Sequence, residues 1–368
     1  MQVRPQVSHN LVAKHIAAAF ALMYGFVPFL VEYFDLFPAP YAQINLVFSL
    51  ILALAIYAMP NKLPFRWRLA VVPRMPSYKL TFTLFIAAAV IFYLFPWHGD
   101  RESAGASLSA VFRALWLITT FTYARSKEKE RFALMGLTVV LMYIDESRTY
   151  FLVSLIILAI TSKYRFSLLG ISISLAILLA AVRSEDSGGG ADLALYGIIG
   201  EGYNATKVVG QIHESNHPIN EISHLAQTFL QPVIFPAEMF ISRVINKDYI
   251  TQEGHMAILV GNSLDEIFNP MGGWYIVADF IHYKYVGIPL MIIYIFITWI
   301  ATRAVFDAPD FPFGSFFMFI AIKSNPFIYW KFIYYIIIIS LIYKLISNQR
   351  IRRARRSAPP ASAHLKIN

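Results

Sequence analysis

The chain has 368 residues and a net charge of +9, with 57% hydrophobic and only 14% charged residues and a mean hydropathy of +0.55. A soluble chain carries roughly 25% charged residues, so an ordinary water-soluble domain is excluded and lipid is expected around much of the surface. There is no cysteine, which excludes disulfides, thiolate metal sites and cysteine nucleophiles; the bases sit in short turns between apolar runs, which argues against nucleic acid as a partner.

A helix needs ~20 mostly apolar residues to cross a bilayer. Such runs fall, in chain order, near 15–34, 42–60, 80–96, 105–124, 132–146, 149–162 and 166–183, then after a polar interval near 285–303, 313–328 and 329–347. They predict an all-α polytopic membrane protein with about ten transmembrane helices. The first run has no small-residue cleavage site after it and is expected to be a retained span.

Lysine and arginine set the expected orientation. The turn 61–79 carries Lys62, Arg66, Arg68, Arg74 and Lys79, the turn 125–131 reads RSKEKER, Lys163 and Arg165 mark another, Arg303 the next, and NQRIRRARR the last. All fall on one side if the N-terminus is cytoplasmic and there are ten spans, and the opposite turns (FPAP at 37–40, WHGDRES at 97–103, DESR at 145–148) are poorer in bases. The division expected is spans one to seven in 1–183, a periplasmic loop or lid in 184–284, spans eight to ten in 285–347, and a basic, disordered cytoplasmic tail in 348–368 near anionic headgroups. In a bacterium this places the chain in the inner membrane with both termini cytoplasmic.

The segment 184–284 holds twelve acids against four bases, a net of −8, so the remainder carries +17. It is too long for a simple connector. After SEDSGGG it alternates helix-like stretches, Leu193–Val209 and Glu221–Leu230, with proline breaks at Pro218, Pro232 and Pro236. It reads as a small, mostly helical lid. No internal repeat is visible.

Three features carry possible chemistry. First, Arg113 lies within the apolar LSAVFRALWLITT, Arg148 follows DES at the outer end of a hairpin, and Arg183 ends the span leading into the loop. Intramembrane charges are costly and mark function by default; the bland alternative is that they snorkel to headgroups or pair with buried carboxylates. Several guanidiniums near one face suit an anionic ligand such as a phosphate. Second, the loop is dense in ionisable groups: His224, Glu238, Arg243, His255, Asp265, Glu266 and Asp279. All but Arg243 are of the types that serve as general bases, although most such groups on a solvated loop are ordinary surface residues. HESNH puts His213 and His217 at i and i+4 but lacks the HExxH order, and no metal site is expected. Third, in NPMGGWYIVADFIHYKYVGIPLMIIYIF Gly272 and Gly273 allow a tight turn or a close backbone approach, an amphipathic segment follows with Asp279 near the membrane surface, and Gly287 and Pro289 open a long apolar helix.

This third stretch resembles the end of the periplasmic loop in O-antigen polymerases of the Wzy type: a double glycine, an acidic residue several positions on, and a glycine opening a transmembrane helix. In that family the acid is often Glu, and here it is Asp279. SRTYF at 147–151, the span count and the late, large loop are also similar. The resemblance implies a metal-independent glycosyltransferase with no cofactor, acting on undecaprenyl-diphosphate-linked glycans among membrane lipids, with a chain-length regulator as protein partner and no nucleic acid. An acceptor sugar hydroxyl attacks the donor's anomeric carbon and lipid diphosphate leaves. On this reading His224, His255, Glu266 and Asp279 are the candidate catalytic groups, and Arg113, Arg148, Arg183 and Arg243 the candidate diphosphate ligands. The alternatives are an O-antigen ligase of related architecture, another membrane glycosyl or acyl transferase, and a polysaccharide or lipid transporter. Transporters more often show internal repeats.

Overall fold

The computed structural model describes residues 9–35, 41–60, 127–144, 148–186, 221–245, 276–305 and 326–357, with single helical positions at 86, 90, seven residues in 112–120, and 206, 209 and 210. All regular structure among the described residues is helical. Helix α1 (His9–Tyr33) and α2 (Ala42–Ala58) form an antiparallel hairpin. Alanines 13, 17 and 21 repeat every four residues on the buried side of α1, and their small side chains let the two backbones approach. At Gly25 an added Cβ would stand 2.6 Å from Ser49 Cβ and 2.9 Å from Leu46 Cα, so the closest approach needs glycine.

Pro28 lies inside α1 and has no N–H to donate to the carbonyl four residues back, which is that of Tyr24. Asn45 of α2 takes over: its Nδ2 donates to Tyr24 O at 3.0 Å and also to Thr206 Oγ1 at 2.8 Å. At the other end of the hairpin the buried Lys14 donates through Nζ to Tyr57 O at 2.9 Å and to Met59 O, and lies over the Trp299 ring at 5.8 Å. A cation there answers the partial negative charge of the last α2 carbonyls.

Helices α3 (Glu128–Ile144), α4 (Arg148–Thr161) and α5 (Arg165–Asp186) pack in sequence. One polar cluster holds their turns: Glu128 accepts from Ser162 Oγ at 2.8 Å and from the Lys163 N–H at 3.0 Å and pairs with Arg131 at 2.8 Å, while Arg131 donates to Thr161 O. Helix α6 (Glu221–Phe240), continued by a π turn (Ile241–Ile245), packs against α8 (Gly287–Val305) and α9 (Pro326–Ser357). The short α7 (Ile276–Ile281) is joined to α8 by a 3₁₀ turn (Lys284–Val286).

Among the described residues, two helical stretches, Leu11–Tyr33 and Lys284–Thr302, are long and apolar enough to cross a membrane; Ala42–Ala58, Phe151–Thr161, Arg165–Leu175 and Tyr329–Ile338 are apolar but shorter. The expected runs at 80–96 and 313–328 fall largely outside the described residues. Three expectations are corrected. Helix α6 does not stop before Pro232 but continues through Pro232 and Pro236. Helix α9 does not give way to a disordered tail after Ser347 but runs unbroken to Ser357. The segment carrying Asp279 is not amphipathic: all six residues of α7 are buried.

Candidate functional site

The α7–α8 corner sets the geometry. The Tyr283 N–H donates to Phe280 O at 3.1 Å, and Lys284 takes a left-handed φ of 53° to turn the chain. Gly287 then passes over that same carbonyl, where an added Cβ would lie 2.0 Å from Phe280 O. The glycine noted in the sequence is therefore required by contact, not by backbone dihedral. This corner presents Asp279, His282 and Tyr283 to the first turns of α6.

There His224 meets them. His224 and Asp279 are 0% and 1% exposed, with His224 Nε2 3.8 Å from Asp279 Oδ1. His224 Nδ1 lies 3.1 Å from the Tyr283 hydroxyl. His282 packs edge-on to the His224 ring at 5.2 Å and close to Tyr283 at 3.8 Å. Burial, and then the neighbouring His224, push His282 down to about 3, so it stays neutral at ordinary pH. Phe229, Phe280 and Tyr294 lie beneath the pair with ring centres 5.6–6.3 Å apart.

An imidazole and a carboxylate held together out of water form a competent proton acceptor. At 3.8 Å the two are within ion-pair range, although the distance is too long for a hydrogen bond. The Nδ1 side faces the hydroxyl of Tyr283, which is half-buried.

Of the four catalytic candidates, His224 and Asp279 come together although 55 residues apart in sequence. His255 and Glu266 lie outside the described residues, as do Asp265, His213, His217, Gly272 and Gly273. Glu238 is buried and accepts from Gln231 Nε2, but it is fourteen residues from His224, about 21 Å along a helix at 1.5 Å per residue.

Among the arginines, Arg113 is a half-buried helical residue with partners of its own. Arg148 begins α4 and Arg183 lies in the last turn of α5, both at the end away from the Glu128 cluster. Arg243 lies in the π turn, nineteen residues beyond His224 and about 28 Å along the helix, so the fold does not bring it to the pair. The side chains of Arg148, Arg183 and Arg243 are outside the described set.

Sequence reasoning missed Tyr283 and His282, which lie in the turn after α7 where helical spacing gives no signal. It also missed a polar ladder on the buried side of α6. His224, Gln227, Thr228, Gln231 and Glu238 are all buried and recur at helical spacing. Comparison with protein-family models, with curated proteins and with solved structures finds no match for this chain.

Proposed function

We propose that this chain is a membrane glycosyltransferase that polymerises undecaprenyl-diphosphate-linked oligosaccharide repeat units at the periplasmic face of a bacterial inner membrane. The observation that carries the reading is the buried His224–Asp279 pair at the head of α8, a helix long and apolar enough to cross a bilayer. A base at the mouth of a membrane helix is where a lipid-linked sugar would offer its hydroxyl.

In the proposed step the acceptor hydroxyl enters beside Tyr283. Its proton passes to His224 Nδ1, directly or across the Tyr283 hydroxyl, and Asp279 stabilises the imidazolium that results. The acceptor oxygen bonds to the donor's anomeric carbon as the bond from that carbon to the diphosphate oxygen breaks. The leaving diphosphate carries the negative charge away. Guanidiniums answer that charge in the proposed mechanism, drawn from Arg113, Arg148 and Arg183; Arg243, about 28 Å from His224 along the helix, is too far from the pair to serve. Arg148 and Arg183 share one end of the α4–α5 hairpin. The proposed orientation, with the segment 184–220 ahead of α6 external, belongs to the same proposal and rests on the one-sided distribution of basic turns.

Removing one preorganised charge-assisted donor costs roughly 100- to 1000-fold in rate, and lysine replaces a two-pronged guanidinium poorly. Arg→Ala at two or more of these three positions is therefore expected to abolish long glycan chains in cells while the single-unit product and the folded protein persist. Arg352 and Arg355, at the far end of α9, serve as controls that tolerate Ala. If all three tolerate Ala as the controls do, the anionic-donor mechanism is wrong. Loss of all attached glycan, single unit included, would instead favour a ligase.

A further inference from the structure

Helix α6 is turned inside out relative to a helix on a water-soluble surface. Its buried side carries His224, Gln227, Thr228, Gln231 and Glu238, whereas Ile222 is 81% exposed, Val233 76% exposed, and Leu230, Phe240 and Val244 are exposed as well. A helix facing water shows the opposite arrangement. Between Ile222 and Ser242 the only carboxylate or basic side chain other than His224 is Glu238, which is buried and bonded to Gln231.

The backbone gives a second, independent sign. Pro236 has no N–H for the carbonyl four residues back, that of Pro232, and the Tyr334 hydroxyl of α9 donates to it at 2.6 Å. This is the device seen at Pro28 in α1, where Asn45 supplies the donor to Tyr24 O, and α1 is itself apolar and long enough to span. Water would satisfy such a carbonyl on an exposed helix; hydrocarbon cannot, so a neighbouring helix must.

The neighbours supply the third sign. Phe229 lies 5.9 Å from Tyr294, well inside α8, and Phe235 lies 5.1 Å from Phe327 and 5.4 Å from Tyr334. The outward residues of α8 at that level, Ile292, Ile293, Phe296 and Ile297, are exposed and apolar as well.

We propose that α6, expected from the sequence to belong to a solvated lid, is embedded in the hydrocarbon layer, with lipid acyl chains covering the face formed by Ile222, Leu230, Val233 and Phe240. It enters from the end of α8 at which His224 meets Asp279. The polar ladder then faces the protein interior, and the His224–Asp279 pair stands where a headgroup meets its tails. This holds whatever reaction the chain performs.

The absence of cysteine makes the test direct. Single cysteines at Val233 and Leu230, sites that make no use of their side chains in packing, are spin-labelled in the full chain reconstituted in phosphatidylethanolamine–phosphatidylglycerol vesicles. Accessibility to oxygen and to a water-soluble nickel chelate is measured by power saturation. Ile292→Cys in α8 is the hydrocarbon reference, and Tyr285→Cys, 89% exposed in the 3₁₀ turn, is the headgroup reference. Expected is an oxygen-to-nickel ratio at 230 and 233 matching that at 292. Nickel accessibility at or above that of 285 would overturn the proposal in favour of a solvated lid. Shielding from both reagents would overturn it in favour of a protein partner or a second copy.

Discussion

Gly287 is the residue whose side-chain constraint is sharpest. A Cβ there would sit 2.0 Å from a backbone oxygen, so Gly287→Ala forces the α7–α8 corner to open and moves Asp279 relative to His224. Overpacking of this kind costs about 1–3 kcal/mol. Gly136 in α3 and Gly170 in α5 have nothing within 4 Å of an added Cβ. Alanine at either is expected to be neutral or to stabilise by up to about 1 kcal/mol, because helical glycine is entropically costly. Thermal unfolding in detergent checks the contrast: Gly287→Ala melts lower than wild type, and Gly136→Ala and Gly170→Ala do not. His282 adds a pH dependence with a definite sign. Its folded-state pKa is held down at about 3 by burial and by His224, against an ordinary 6.5. Below pH 6.5 the unfolded chain takes up a proton that the folded chain refuses, so stability falls as pH drops from about 6.5 toward 3, by at most about 1.4 kcal/mol per pH unit. His282→Asn should flatten the melting-temperature profile between pH 7 and pH 5; an unchanged slope would show that His282 is hydrated in the folded protein.

At the scale of elements, the apolar runs were legible and their partners were not. The runs at 42–60, 149–162 and 166–183 became α2, α4 and α5 within a few residues. Hydropathy suffices there because one helix's composition decides the outcome. Helix α6 escaped because proline reads as a break from local chemistry alone, and the donor that rescues Pro232 O is Tyr334, more than a hundred residues away. Likewise Asp279 and Gly287 were visible as a motif and His224 as a loop base, but their meeting depends on α6 docking beside α8, which no local pattern encodes. The rescue bonds make a prediction of their own. Removing one donor and leaving a buried carbonyl unsatisfied costs about 1–3 kcal/mol, so Asn45→Ala and Tyr334→Phe should each lower the melting temperature. Restoring a backbone donor in the second case, by Pro236→Ala, should recover most of the loss of Tyr334→Phe. If the double variant is as unstable as Tyr334→Phe alone, the hydroxyl is not substituting for the missing N–H.

For the whole molecule, the proposed topology orients the site. Reporter fusions at Asn216 and Ser357 should report opposite compartments, because the basic turns sort to one side; one compartment for both would sink the proposed orientation. The proposed chemistry needs no divalent ion, so product formation should survive EDTA. The central claim is that the buried pair at the head of α8 deprotonates the hydroxyl of a lipid-linked sugar. It is tested most directly by purified chain in vesicles given a synthetic undecaprenyl-diphosphate-linked repeat unit, with products separated by length. Wild type should yield a ladder of polymers in the presence of EDTA. Loss of a general base costs about 100- to 10,000-fold, so His224→Ala and Asp279→Asn should reduce the ladder by at least about 100-fold while folding intact. No ladder from folded wild type, or an undiminished ladder from both variants, would contradict the account.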